Sequence, residues 1–444
     1  MSVAPQHDIS LVLDRPDKLY TSGDTITGTI HDWKPHLTNG ASIEVVLVGR
    51  SKSYIDFSAQ NFYTYTGRVP LIYHTTQLHP AQSDDELHFA ITVPDHVQKD
   101  LSSVPALKKR FDYWTHSWSD SEPFAKDPQH ALPPSMTMHE RSLSLYRQEV
   151  RGWGQIRYTL SAIISETAGH GKNSVIQSSE EENVIITTPR ISVEDWEREP
   201  RENQISANIV TFINKRLQPD AKVKQKGVFD KMMSDDTPKM SVQLHTIVPK
   251  IAVSGSTIEL FMRLHRPAKR YAKIDFPLPL ITLQRAELYI KETITTRCSR
   301  PVLRFDEHVY EFPGHPFAGQ TCRINHTFIP TVDGTNYQPE LCRAKFKIPS
   351  SCTPTFKTWN MSSEWSICGT VFFKCLGKET YGTFDSRITL ISKPRKSGAG
   401  DGEDSEASDD LVDVGEEGDG AAIDWVGGAG QVGGAAMNLA NLAT

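Results

Sequence analysis

Ser22-Gly23-Asp24-Thr25-Ile26 recurs near the middle of the chain as Ser254-Gly255-Ser256-Thr257-Ile258. Each copy joins a glycine and small hydroxylated residues in a tight turn, then opens an alternating run that reads as a strand. Five matching residues alone would carry little. The flanking pattern repeats as well. The first copy leads to a strand ending Val93-Pro94, a proline-rich stretch Leu132-Pro133-Pro134-Ser135, and a long strand after Gly152-Trp153-Gly154. The second leads to Ile348-Pro349, Thr353-Pro354-Thr355 and a strand over 367–375. A repeat of this kind predicts two similar β domains in tandem.

Working outward, Ile9, Leu11 and Leu13 share one face, and Ile26, Gly28 and Ile30 oppose Thr25, Thr27 and Thr29. Ile43-Glu44-Val45-Val46-Leu47-Val48-Gly49 is apolar on both faces, as a central strand would be. Leu87, Phe89, Ile91 and Val93 alternate before Pro94, and Ile156 to Ile164 forms another long alternating run. Helical periodicity is nearly lacking, so the prediction is an all-β chain of two antiparallel sandwiches. The expected boundaries are 1–191 for the first sandwich and 240–392 for the second. A long aromatic and basic loop (100–131) interrupts the first. Between them, 192–239 reads as a linker with a short helix over 205–217. From 393 to 444 the Gly-, Asp-, Glu- and Ala-rich tail is expected to be disordered.

Charge divides the same way. Eleven of the 54 acids lie between Asp401 and Asp424, and no Lys or Arg follows Lys396. The 48 basic residues of the body therefore face 43 acids, a body of about +5 with a tail of −11. So weakly basic a body, with no recognition helix, argues against nucleic acid. No apolar run reaches the ~18 residues of a membrane span, and Met1-Ser2-Val3-Ala4-Pro5 opens no signal-peptide core, so a cytoplasmic site is expected. The six cysteines, with no C-x-x-C pair, read as reduced thiols buried in strands. No metal or cofactor motif and no G-x-S-x-G, H-E-x-x-H or phosphate loop is present, so no enzyme, metal or cofactor is expected.

Tyr20-Thr21-Ser22-Gly23-Asp24-Thr25-Ile26-Thr27-Gly28, Ile43 to Gly49, Leu132-Pro133-Pro134-Ser135 and Gln155-Ile156-Arg157-Tyr158-Thr159-Leu160 follow in order. In that order and spacing they resemble motifs of the arrestin-like superfamily, more closely its fungal arrestin-related (alpha-arrestin-type) branch. The resemblance implies two tandem immunoglobulin-like β-sandwiches and an adaptor role. Such an adaptor binds cytosolic regions of membrane receptors or transporters and links them to endocytic or ubiquitin-ligase machinery, at the plasma membrane or endosomes. The chain departs from that pattern in two places. It lacks the Pro-Pro-x-Tyr segment that recruits one ligase class, and its first strand, Ile9 to Arg15, lacks paired phosphate-sensing lysines. Leu411-Val412-Asp413-Val414-Gly415-Glu416 resembles a clathrin-box peptide with its acid one residue late.

Arg15, Lys18, Lys108, Lys109 and Arg110 are the candidate contacts for anionic partners, including anionic lipid, against the plainer reading of solvated surface cations. Ile423, Trp425 and Val426 form the tail's apolar patch and are candidates for docking back as an added strand. Two other readings remain open: an arrestin-like vesicle-coat subunit of the retromer type, with a constant assembly partner, and an uncharacterised β-sandwich enzyme.

Overall fold

The computed structural model describes residues 9–36, 41–57, 64–79, 86–98, 101, 124–125, 129–145, 148–168, 172–187, 196, 198, 202–218, 237–266, 276–299 and 307–393. The repeated turn is built the same way twice. Gly23 and Gly255 both sit at φ 81°, a left-handed conformation that glycine adopts without steric cost. The Asp24 amide donates to the Thr21 carbonyl, and the Ser256 amide to that of Val253, each across three residues. Asp24 also accepts from the Thr21 amide at 2.8 Å, while the Ser256 hydroxyl donates to the Val253 carbonyl at 2.7 Å.

The strands of the first half are β1 (Ser10–Leu13), β2 (Leu19–Tyr20), β3 (Thr25–His31), β4 (Ala41–Phe57), β5 (Thr64–Leu78), β6 (Leu87–Thr92), β7 (Met136–Leu145), β8 (Gln148–Ala168), β9 (Lys172–Ser178) and β10 (Glu182–Ile186). Those that follow are β11 (Asn203–Ile213), β12 (Lys239–Pro249), β13 (Ile251–Val253), β14 (Thr257–His265), β15 (Ile281–Ser299), β16 (Glu307–Pro313), β17 (Phe317–Phe328), β18 (Cys342–Lys347), β19 (Phe356–Lys357), β20 (Met361–Cys375) and β21 (Lys378–Ile391). The fold is all-β. No helix among the described residues is long and apolar enough to cross a membrane.

The duplication extends to the pairing around each turn. Before it, β2 runs parallel to β10, and β13 runs parallel to β21. After it, β3 pairs with β6 and β14 with β18, both antiparallel. The proline-terminated strands close onto the turns by equivalent bonds: Val93 amide to Asp24 carbonyl, and Ile348 amide to Ser256 carbonyl, both 2.9 Å. A three-stranded sheet, β1-β3-β6, and a four-stranded sheet, β11-β12-β14-β18, accompany one large sheet. That sheet runs β13-β21-β20-β15-β5-β4-β8-β10-β2, with β7 and β9 on β8, β16 and β17 on β15, and β19 on β20.

Two apolar cores result. The first gathers Ile26, Ile30, Ile43, Leu47, Ile55, Tyr158, Leu160 and Ile164, but also Ile294, Cys298, Phe312, Phe356 and Met361 from the later strands. The second is built from Leu244, Leu260, Ile281, Leu288, Phe346, Ile367, Phe373 and Leu390, among others. β15 and β20 thus each contribute to both cores. β4 is tied to these later segments by the Ser53 hydroxyl, which donates to the Arg297 carbonyl at 2.8 Å and accepts from the Asn360 side-chain amide at 3.0 Å. Arg141 joins β7 to the later strands through Glu292 (2.7 Å) and the Phe312 carbonyl (3.1 Å).

The helix expected over 205–217 is not there. β11 pairs with β12 along its whole length, from Asn203↔Pro249 to Ile213↔Lys239, and only a short 3-10 turn over Lys215–Leu217 follows. Ile205, Ile209, Val210, Thr211 and Ile213 are β-branched, and a ladder of eleven pairs suits them better than a helix. Strand structure therefore begins inside the stretch expected to be linker. The tail, 393–444, lies outside the described residues apart from Lys393.

All six thiols are free, four of them buried. Burial pushes the thiols of Cys298, Cys342 and Cys352 up to about 12 and that of Cys375 to about 11, which suppresses the reactive thiolate.

Candidate functional site

The site lies on the outer face of β5, β4 and β8. Along β4 one set of alternate residues, Ile43, Val45, Leu47 and Ile55, enters the first core. The other set reads Val46, Val48, Arg50, Lys52, Tyr54 and Asp56. Val46 and Val48 are covered by Leu101, the first described residue of the long loop. Beyond them the face becomes cationic.

Register builds the cluster. Arg50 stands directly opposite Arg157 of β8, and Lys52 directly opposite Arg68 of β5. Paired residues in an antiparallel sheet project to the same side, and like charges in that position oppose folding. All four side chains are half-buried. Arg50 pairs with Glu181 at 3.3 Å, and Arg157 donates to the Asn183 side chain. Among the described residues Lys52 and Arg68 form no ion pair. Burial first, then the charges of Arg50, Arg68 and Arg157, hold the Lys52 ammonium below the ordinary lysine range, while Glu181 acts in the opposite sense. Three guanidinium forks and one ammonium, with Glu181 the one carboxylate acting on Lys52 among the described residues, have the chemistry to bind carboxylate or phosphate oxygens.

Further along the same face, Tyr54 stands opposite Trp153, and Asp56 opposite Arg151. With Glu140 and Gly152 they line a cavity of about 350 Å³. Arg151 is held by Glu140 at 3.4 Å and Glu149 at 3.2 Å.

Of the residues singled out from sequence, Arg15 and Lys18 are at the turn between β1 and β2. Lys18 stands 5.2 Å from the Tyr20 ring centre, and the Tyr20 hydroxyl donates to the Arg15 carbonyl at 3.2 Å. Neither is among the charges acting on Lys52. Lys108, Lys109, Arg110, Ile423, Trp425 and Val426 lie outside the described residues. Arg50, Lys52, Arg68 and Arg157 escape sequence reasoning because each occupies the polar phase of its own strand, where a cation is ordinary. While Leu101 of the long loop covers Val46 and Val48 beside the site, a second described fragment of that loop docks elsewhere: Phe124 is buried, with the Arg297 guanidinium 4.1 Å from its ring centre, and the Ala125 amide donates to the Thr358 carbonyl.

No protein-family model matches this chain, and no curated protein matches it in sequence.

Proposed function

We propose that this chain is an arrestin-like adaptor. In that reading it is two tandem β-sandwiches that capture an acidic or phosphorylated segment of a membrane protein's cytosolic region and link it to endocytic or ubiquitin-ligase machinery. The observation that carries the capture step is the pairing of Arg50 with Arg157 and of Lys52 with Arg68 across adjacent strands. A fold that keeps like charges face to face gives up stability, and an anionic ligand recovers it. Support for the scaffold comes from the duplicated glycine turns and their matching parallel and antiparallel partners. The cytoplasmic location belongs to the same proposal.

The test is binding of acidic and phosphorylated peptides to the full chain, followed by fluorescence anisotropy at several salt concentrations. The Lys52→Glu/Arg68→Glu variant should bind at least about tenfold more weakly, since hydrogen bonds to charged groups contribute about 1.5–3 kcal/mol each. Wild-type affinity should fall as salt rises. Equal affinity of variant and wild type would remove the capture step from the reading.

A second reading, a vesicle-coat subunit with a constant partner, draws on β11. Its outward residues Ile205 and Ile209 are 54% and 53% exposed, while Gln204, Ser206 and Asn208 face the other side. An apolar row on a sheet edge is what a permanently assembled subunit would cover. Co-purification from native cells separates the two, because a coat subunit keeps one stoichiometric partner and an adaptor does not.

A further inference from the structure

The outer face of β4 changes character in one direction, from cationic to aromatic to acidic. Arg50 and Lys52 with Arg68 and Arg157 form the positive end. Tyr54 and Trp153, opposite one another, form the middle. Asp56, Glu140 and Glu149, with Arg151 as the one cation beside them among the described residues, form the negative end. At about 3.3 Å per residue, Lys52 and Asp56 are about 13 Å apart along the strand, the length that four residues of an extended ligand cover.

We propose that this face recognises a bipolar extended peptide, one whose acidic or phosphorylated residues are followed about four positions along by an arginine or lysine. The proposal rests on the capture reading above and adds the second half of the ligand. The acidic residues lie over Lys52 and Arg68. The basic side chain enters the cavity, its aliphatic stem and cation against the Tyr54 and Trp153 rings and its head toward Asp56 and Glu140. A volume of about 350 Å³ accommodates one such side chain. The cavity matters here, because a group of carboxylates on an open surface would specify nothing. Arg151 does not neutralise the acidic end in advance: it pairs with Glu140 and Glu149, and among the described residues Asp56 forms no ion pair.

The negative end also selects the class of partner. An anionic membrane would be attracted to Lys52 and Arg68 but repelled by Asp56, Glu140 and Glu149 on the same face. A peptide can match both signs, and a uniformly charged surface cannot.

The experiment uses the full chain and fluorescent peptides of identical acidic sequence. One series carries Arg four positions from the acidic residues, on either side because the ligand's direction along β4 is open. Another carries alanine there, and a third places the Arg adjacent to the acids. The bipolar peptide should bind about fivefold to tenfold more tightly than the alanine peptide, the sum of one cation–aromatic contact and one screened ion pair. Asp56→Asn/Glu140→Gln should abolish that advantage, read as the ratio of the two peptides' affinities for the same variant. These isosteric changes lie at the surface, and an unaltered thermal transition verifies the fold. Equal affinity for bipolar and alanine peptides, or an advantage that survives in the double variant, overturns the proposal while leaving anion capture standing. If no acidic peptide binds, both readings fall. Phosphatidylserine vesicles that bind more tightly than any peptide, and tighter still to Asp56→Asn/Glu140→Gln, would identify the face as a membrane contact instead.

Discussion

Replacing Lys52 by glutamine should make the protein more stable while weakening its hold on anions. Lys52 faces Arg68 directly across the β4–β5 ladder and has Arg50 and Arg157 beside it, with Glu181 as the opposing acid. A like-charge pair in direct cross-strand opposition costs about 0.2–1 kcal/mol, and glutamine removes that pair while keeping most of the side chain's reach. For a unit of this size the gain corresponds to about 1–2 °C in Tm. The sign with pH is also fixed. The fold holds the Lys52 ammonium below its ordinary range, so between the lowered folded value and the unfolded value near 10.4 the unfolded chain binds more protons. Stability therefore rises with pH across that window in the wild type, and this gain should vanish in Lys52→Gln. Differential scanning calorimetry at low and high salt is the assay, with the stabilisation shrinking as salt screens the cluster. Lys291→Gln is the control of opposite sign, because Lys291 pairs with Asp385 at 2.8 Å. If Lys52→Gln lowers Tm, or leaves acidic-peptide affinity untouched, the cluster is not a strained anion receptor.

Gly152→Ala should cost about 1–3 kcal/mol, because the new methyl would meet the fully buried Phe312 ring at 2.3 Å where the two halves pack. Gly334→Ala, at φ 65° with open space around it, should cost only the conformational ~1 kcal/mol; urea unfolding of both variants compares them. The tilted rings of His245 and His265 lie 4.4 Å apart beside Arg263; burial lowers both imidazoles first, followed by Arg263 at His245 and by His245 and then Arg263 at His265. Their neutral forms are favoured in the fold, so stability is fully present above about 6.5 and is lost as pH falls through the lowered folded values. His245→Gln/His265→Gln should flatten this slope in acid-titrated thermal melts. Residues 1–190 expressed alone should show exposed apolar surface by dye binding and a broadened unfolding transition, since Ile294, Phe312 and Met361 would be missing from their core.

The repeated turn was legible because it depends on a glycine at a left-handed position, and local chemistry of that kind is written in a few adjacent residues. Strands whose alternation is clean, such as Leu87 to Thr92, were legible for the same reason. β5 was not. A bulge shifts its register between Gly49↔Ile72 and Arg50↔Pro70, so the apolar phase changes partway and no single alternation survives. β15 extends from Ile281 to Ser299, but its second half shows no clean alternation in sequence, since Lys291 to Arg297 mixes charged and hydroxylated residues of which Thr295, Thr296 and Arg297 become buried. The candidate site failed to show for a related reason. Arg50, Lys52, Arg68 and Arg157 are far apart in sequence, and only non-local register sets them side by side.

Sharing β15 and β20 between the cores has a consequence for synthesis. The last early residue of the first core is Ile186, yet that core also requires Met361, about 175 residues later. At about 5–20 residues per second, a ribosome takes about 10–35 s to deliver what is missing. During that interval the strands around Ile43, Leu47 and Tyr158 are outside the ribosome with one wall of their core unbuilt. A duplicated architecture would ordinarily let the first copy fold while the second is being made. Here the first copy waits, and the holding factors that bind nascent apolar strands should engage this chain between those two points of its translation.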